Sequence, residues 1–384
     1  MRPSSSSAGW SPPPTAHPSN SPNPATRVPG SCSTSNSPKA CAESGACRPG
    51  GRHPEGEPEG ETALAVVETP LVETVLGPVA ADELGDVDAH EHVFLRTPVN
   101  PGDEFLDTDK AADELLRVAA SGIRTVVDLT PVGLGRRPGQ LAEVSRTSGV
   151  HVVAATGFHR SAHYPAAHWA RHADDATLLD VLLDDLQVGM DRYDWDFPRP
   201  LPSPHRAGII KLGASYHRID RHEERWFAAG AAAARDTGVA VAVHTEVGTA
   251  AHAALDLLDR HGIPAGRVLL AHTDRNPDPE LHLDLIARGA HLVYDTIGRI
   301  KYRPDSVVLD LIERMAEAGE LGRICLGTDV GRKSSLSAYG GGPGMDVLGR
   351  DFVPRLRRRL GDEAVETVLR HAPQGLLAKE TCAA

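Results

Sequence analysis

Eight short runs rich in Val, Ile, Leu and Ala, each bounded by turn residues, recur along the chain: Val87–Val93, Thr125–Thr130, His151–Phe158, Ala207–Gly213, Val239–Glu246, Val268–Thr273, His291–Gly298 and Ile324–Asp329. Most are nearly continuous in apolar character rather than alternating, as strands covered on both faces are. Helical patterns fill the gaps. Asp109–Ala120 has a cap at Thr108 or Asp109 and stops before Gly122, and the Ala-rich stretch Glu223–Asp236 stops before Gly238. Pro279 suits the first turn of a helix carrying Leu281, Leu283, Leu285 and Ile286, and Asp305–Ala318 sets Val308, Leu311, Ile312 and Met315 on one stripe. Eight strands alternating with helices predict an α/β fold, specifically a (β/α)8 TIM barrel. An open doubly wound sheet is the competing architecture, but no G-x-G-x-x-G follows the first run.

Residues 1–62 are a different kind of sequence. Ser4-Ser5-Ser6-Ser7, Ser11-Pro12-Pro13-Pro14 and the acidic run Glu55-Gly56-Glu57-Pro58-Glu59-Gly60-Glu61 carry too few apolar groups to offset the entropy of ordering. They read as a disordered Ser/Pro/Gly-rich extension, with the barrel domain at 63–384. No apolar run is long enough for a membrane-spanning helix, and the N-terminus lacks the apolar core of a secretory signal, so no membrane partner and a cytoplasmic location are expected. Five scattered cysteines match no zinc-site spacing. A formal charge of -12 argues against a nucleic-acid surface. Oligomeric state is left open, a homodimer included.

Two segments interrupt the strand–helix rhythm. Residues 159–175 follow the third run and are expected as a mobile loop at the active face. Residues 191–206, rich in proline, precede the fourth run and are expected at the opposite face.

The chemistry-bearing residues cluster at strand ends. In a barrel of parallel strands the carboxyl ends share one mouth, where catalytic groups gather. His90 and His92 are two apart in the first run, so both imidazoles point to one face. Lys211 is in the fourth run, and His244, His272 and Asp329 stand at the ends of the fifth, sixth and eighth. One histidine among 19 would mean little; four at strand ends with a carboxylate are a chelating set. A lysine buried among them is a desolvated cation whose pKa should fall, and a neutral amine can add carbon dioxide to become a carbamate.

These residues resemble the phosphotriesterase family of the amidohydrolase superfamily, which includes many lactonases. The resemblance runs from about residue 70 to 378 through His90-Glu91-His92, Gly208-Ile209-Ile210-Lys211, His244-Thr245, His272-Thr273-Asp274-Arg275-Asn276, Gly327-Thr328-Asp329 and Tyr339-Gly340-Gly341-Gly342-Pro343-Gly344. It implies that His90, His92 and Asp329 hold a more buried metal ion and His244 and His272 a more exposed one. Carbamylated Lys211 and a hydroxide would bridge the two, with zinc as the expected ion. Asp329 would take the proton from the attacking hydroxide. Arg275, Arg299, Lys301 and Tyr302 follow strand ends and suggest an anion pocket for a small-molecule substrate. Phe158 stands where relatives place an aromatic residue against substrate, commonly a tyrosine. The expected activity is a lactonase, with phosphorylated sugar lactones among the candidate substrates. Hydrolysis of phosphotriesters, carboxylic esters or N-acyl amides is the alternative within the family, and a non-catalytic ligand-binding barrel the alternative outside it.

Overall fold

The computed structural model describes residues 70–196 and 200–379; the extension at 1–62 lies outside them. A hairpin of β1 (Leu71–Thr74) and β2 (Gly77–Ala80) precedes an eight-stranded parallel sheet. Its strands are β3 (Val87–Glu91), β4 (Thr125–Asp128), β5 (His151–Gly157), β6 (Ile209–Ala214), β7 (Val241–Thr245), β8 (Val268–Ala271), β9 (His291–Tyr294) and β10 (Ile324–Leu326), each beside its sequence neighbour. The sheet curls until its ends meet, where the Asp329 N–H donates to the His90 carbonyl at 2.9 Å. The TIM barrel and all eight strand positions follow the apolar runs.

Helices cover the outside: α1 (Thr108–Ala120), α2 (Pro138–Ser148), α3 (Asp175–Leu183), α4 (Arg221–Thr237), α5 (Ala251–Arg260), α6 (Pro279–Ala287), α7 (Asp305–Glu317) and α8 (Val353–Leu360) are the longest. The cap of α1 is neither Thr108 nor Asp109. Asp107 accepts from the N–H groups of Asp109 and Lys110, at 3.1 and 3.2 Å. Asp220 and Glu223 form a reciprocal capping box on α4.

Strand parity sorts the side chains into two cores. Ile210 and Leu212 of β6 pack outward with the helices, while Ile209 joins a narrow inner core of Ala89, Leu129, Ala155, Ala242, Leu269, Ala271 and Cys325. Lys211 shares the inward parity of Ile209. Small residues keep the inner core tight, and one strand approach is tighter still. Gly157 has φ +111°, and a Cβ there would lie 2.0 Å from the Lys211 carbonyl oxygen, so a side chain at 157 would force β5 away from β6.

The segment after β5 lies at the mouth as expected, but it is fastened down. Ser161 N–H donates to Glu223 at 3.1 Å, Arg171 donates to the Ser161 carbonyl at 2.7 Å, and the Tyr164 hydroxyl donates to the Val132 carbonyl at 2.9 Å. Residues 191–196 depart from expectation. Instead of staying at the amino-terminal end, they climb the barrel's flank to the loops that follow β3 and β4. Asp194 accepts from the N–H of Gly135 at 2.9 Å, and Asp196 pairs with Arg96 at 2.8 Å.

Arg136 anchors this climb. Its guanidinium is buried, 2.8 Å from both Asp185 and Asp194. Burial opposes its charge, but the two carboxylates outweigh it and hold the group above the ordinary arginine range. Removing one partner of such a set leaves uncompensated buried charge. Arg136→Met should cost about 3–5 kcal/mol of stability, measured by urea unfolding; a loss below about 1 kcal/mol would contradict the anchoring role.

Candidate metal centre

The carboxyl ends of five strands bring most of the sequence-selected side chains to one cavity, Lys211 and Phe158 not being in its wall. Its wall includes His90, His92, His244, His272 and Asp329, together with Arg275, Arg299, Lys301 and Tyr302. Imidazole nitrogens of His90 and His92 and a carboxylate oxygen of Asp329 all lie within 4.8 Å of one another, as do donor atoms of His90, His272 and Asp295. His244 Nδ1 is 2.8 Å from His272 Nε2. These groups can hold a metal ion.

The backbone turns sharply where two of these residues leave their strands. His272 and Asp329 adopt φ of 66° and 46°, a left-handed conformation that costs a non-glycine residue about 1–3 kcal/mol.

Partners behind the site fix the rings. Asp295 joins two of them, its carboxylate 2.8 Å from Nδ1 of both His90 and His272. His92 Nδ1 is 2.8 Å from the Thr130 hydroxyl, and His244 Nε2 is 2.8 Å from Glu246. With Asp295 accepting at both Nδ1 atoms, the Nε2 atoms of His90 and His272 are left to carry the lone pairs that coordination needs, that of His272 turned toward His244 Nδ1. Burial lowers His90 to about 4, with Lys211 adding to the effect, and burial with Arg275 lowers His272 to about 3. Both rings are therefore neutral, as ligands must be. Burial pushes Asp295 up, but the two histidines outweigh it and hold it below the ordinary carboxylate range. Asp329 is likewise raised by burial and lowered further by Arg299, His90 and His92.

Lys211 is 1% exposed, and its Nζ has no hydrogen-bond partner among the described residues. Burial pulls it down to about 8, against the attraction of Asp329 and Asp295.

The cationic residues divide. Arg275 reaches inward, its Nη2 2.5 Å from the Asp329 carboxylate, and Arg299 donates to both the carboxylate and the carbonyl of Asp329. Lys301 makes no ion pair among the described residues and lies 4.6 Å above the Tyr302 ring. Arg275 and Arg299 flank the same ring at 4.4 and 5.1 Å.

Phe158 is a correction. It is fully buried, with its ring stacked on Trp226 at 5.5 Å and packed edge-on to Tyr164 and Trp169. The next residue, His159, lines the cavity instead, stacked on His163 at 3.7 Å between ring centroids. The turn after Gly157 swings Phe158 into the layer between sheet and helices. Asp295 and Glu246 were not singled out from sequence. Asp295 directly follows β9, and the strand-end rule that selected the other residues could have found it.

A closed parallel barrel with imidazoles and a carboxylate gathered at its strand ends is the plan of a metal-dependent hydrolase acting on ester bonds. The chain belongs to the Phosphotriesterase family, which it matches over residues 70–377. A phospho-furanose lactonase of Mycoplasmopsis agalactiae is 29% identical over 322 residues, covering 80% of this chain and 91% of the relative. An amidohydrolase structure from Mycoplasma synoviae superposes with TM-score 0.78 at 28% identity, covering 82% of this chain and 93% of that one. The phosphotriesterase homology protein from Escherichia coli, solved with phosphate in its active site, gives TM-score 0.70 at 29% identity, covering 77% and 99%.

Asp295→Asn keeps the shape but loses one of the two charged acceptors behind His90 and His272. Metal retention should fall by about 10- to 100-fold, read by competition with a chelator, while circular dichroism stays unchanged. Retention equal to that of the parent protein would show that Asp295 does not orient the rings.

Proposed function

We propose that the protein is a lactonase of small phosphorylated sugar lactones, working with two divalent ions held by His90, His92, His244, His272, Asp329 and a carbamate on Lys211. Zinc suits this nitrogen and oxygen donor set. The observation that carries the reading is the composition of one cavity of about 280 Å³. The strand-end donors form its floor, and Arg275, Arg299, Lys301 and Arg332 form a cationic bank on its wall. Among the described residues, Leu95, Val99 and Leu134 are the only aliphatic side chains in its lining, so it offers little to a long alkyl chain and much to a compact, charged, hydroxyl-bearing ligand. Two relatives support an anion at this end: one is named for a phospho-furanose, and the other holds phosphate in its active site.

Lys211 fits the donor set only as a carbamate. A buried ammonium without a hydrogen-bond acceptor repels cations, and the attraction of Asp329 and Asp295 does not offset its burial. An amine near 8 is partly neutral at physiological pH and can add carbon dioxide, turning the misplaced cation into a carboxylate-like ligand. When bound, two divalent ions in such a set supply Lewis acidity and bring the pKa of water from 15.7 toward about 7.

The chain's own residues do the rest. Asp329, kept ionised by Arg299 and the neighbouring imidazoles, takes the proton of the attacking water and gives it to the ring oxygen released as the acyl C–O bond breaks. Arg275 and Arg299 offset the negative charge that ring opening adds as a new carboxylate. Lys301 and Arg332 face the substrate's phosphate, and the Tyr302 ring holds Lys301 in place. His159 and His163 give hydroxyl groups a polar wall.

Metal content should approach two ions per chain, and Lys211→Ala should lose metal and activity together, with partial rescue by short carboxylates. Full activity in Lys211→Ala would end the bridging role. The substrate reading is tested on paired lactones with and without phosphate. Lys301→Ala should raise KM about tenfold for phosphorylated lactones, the loss of one charge-assisted contact, and leave neutral ones nearly unchanged. Arg299→Ala should lower kcat on both, because it touches Asp329. Equal effects of Lys301→Ala on both lactone types would rule out a phosphate-binding lysine.

A further inference from the structure

A second cavity lies on the barrel's flank, between the loops that follow β3 and β4 and the 191–196 segment. It measures about 320 Å³, and Arg96, Arg136, Arg137, Gln140, Arg192 and Asp194 are in its wall. It shares no lining residue with the metal-centre cavity but stands back to back with it. Leu95 and Leu134 line that cavity, whereas the adjoining Arg96 and Gly135 line this one. The partition is two strands of backbone thick, joined by the Arg96 N–H to the Leu134 carbonyl at 2.8 Å. Gly135, at φ +93°, permits this approach, since a Cβ there would come within 2.9 Å of the Arg96 nitrogen.

We infer that this flank cavity is a binding site for a phosphate-type oxyanion, separate from the metal centre. Three observations converge. First, the N-terminus of the eleven-residue helix α2 opens here, with Pro138 in its first turn, no side-chain cap and no acidic residue in that turn. Its first N–H groups lack intrahelical acceptors and favour an anion. Second, Arg136 lines the cavity at 3% exposure, and its Nη2 has no partner among the described residues, although its other nitrogens are bonded. Third, the carboxylate of Asp194 is already taken up by Arg136 and the N–H groups of Gly135 and Arg136, and Asp196 by Arg96. Arg137 and Arg192 are left without an ion pair among the described residues. Arg192 is exposed, with a contact of 3.4 Å to the Pro202 carbonyl. Two unpaired guanidiniums and an uncapped helix start offer N–H groups to the several acceptor oxygens of a phosphate, with the unpartnered Arg136 edge buried behind them.

The test is a difference titration on the full chain in its metal-loaded form. Inorganic phosphate, and separately glycerol phosphate, is titrated calorimetrically into the parent protein and into the double variant Arg137→Gln/Arg192→Gln. Both substitutions remove charge but leave the Arg136 anchor intact, and unchanged turnover of a neutral lactone serves as the folding control. Binding at the mouth is common to both proteins and cancels. The parent should show an additional site, weakened about tenfold or more in the variant and unaffected by Lys301→Ala. A difference with both ligands means that free phosphate suffices; a difference with glycerol phosphate alone assigns the site to phosphate esters. Superimposable isotherms for parent and variant with both ligands would overturn the inference.

Discussion

The seam between the first and last strands is what makes the site. A parallel sheet of eight strands has two edges, and here they are joined by the Asp329 N–H bound to the His90 carbonyl. That bond unites a residue near the start of the fold with one near its end, and both carry side chains of the proposed metal set. Beside it, the Val330 N–H donates to the Glu91 carboxylate at 3.0 Å, and the Thr328 hydroxyl donates to the same group. Glu91 sits between His90 and His92, so the closure and the chelating face are built from one short stretch. Without the seam, His90 and His92 would face one opening and Asp329 another.

Burying this much charge at one mouth is expensive, since a buried ion costs several kcal/mol unless it is paired and hydrogen-bonded. The structure meets that cost by grouping. Asp295 stands between two imidazoles, and Asp329 between two guanidiniums and three rings. Tyr302 supplies a π-face to three cations. Lys211 is the member left out, and its buried amine marks the place where the protein side of the network is incomplete. The left-handed turns at His272 and Asp329 add backbone strain at the same spot, as functional sites often do.

Much of this was legible in the sequence because barrel strands leave a strong signal. Runs buried on both faces cannot alternate, and their spacing with helices admits few folds. Strand-end position then selected His244, His272 and Asp329, and a lone cation inside an apolar run selected Lys211. What escaped detection depends on contacts that no local pattern encodes. Phe158 follows a glycine at φ +111°, and the direction in which the chain leaves such a residue is set by the neighbouring strand. Asp194 reaches Arg136 across 58 residues of chain, so the 191–206 segment looked like an insertion free to stay at the other end. Asp107 displaced Thr108 and Asp109 as the cap of α1 because three adjacent polar residues offer equivalent oxygens, and only the backbone turn decides among them.

The lining of the main cavity has a further consequence. Its aliphatic side chains are few, and Lys301 and Arg332 add cations to its lining beyond the two that reach Asp329. Attraction of a charged ligand to such an opening is Coulombic rather than hydrophobic, and it reaches only as far as dissolved ions permit, about 8 Å at physiological ionic strength. Were the substrate a charged lactone as proposed, occupancy of the mouth would be coupled to the electrolyte around it, and a change in salt concentration would act on capture before it touched the chemistry at the barrel's floor.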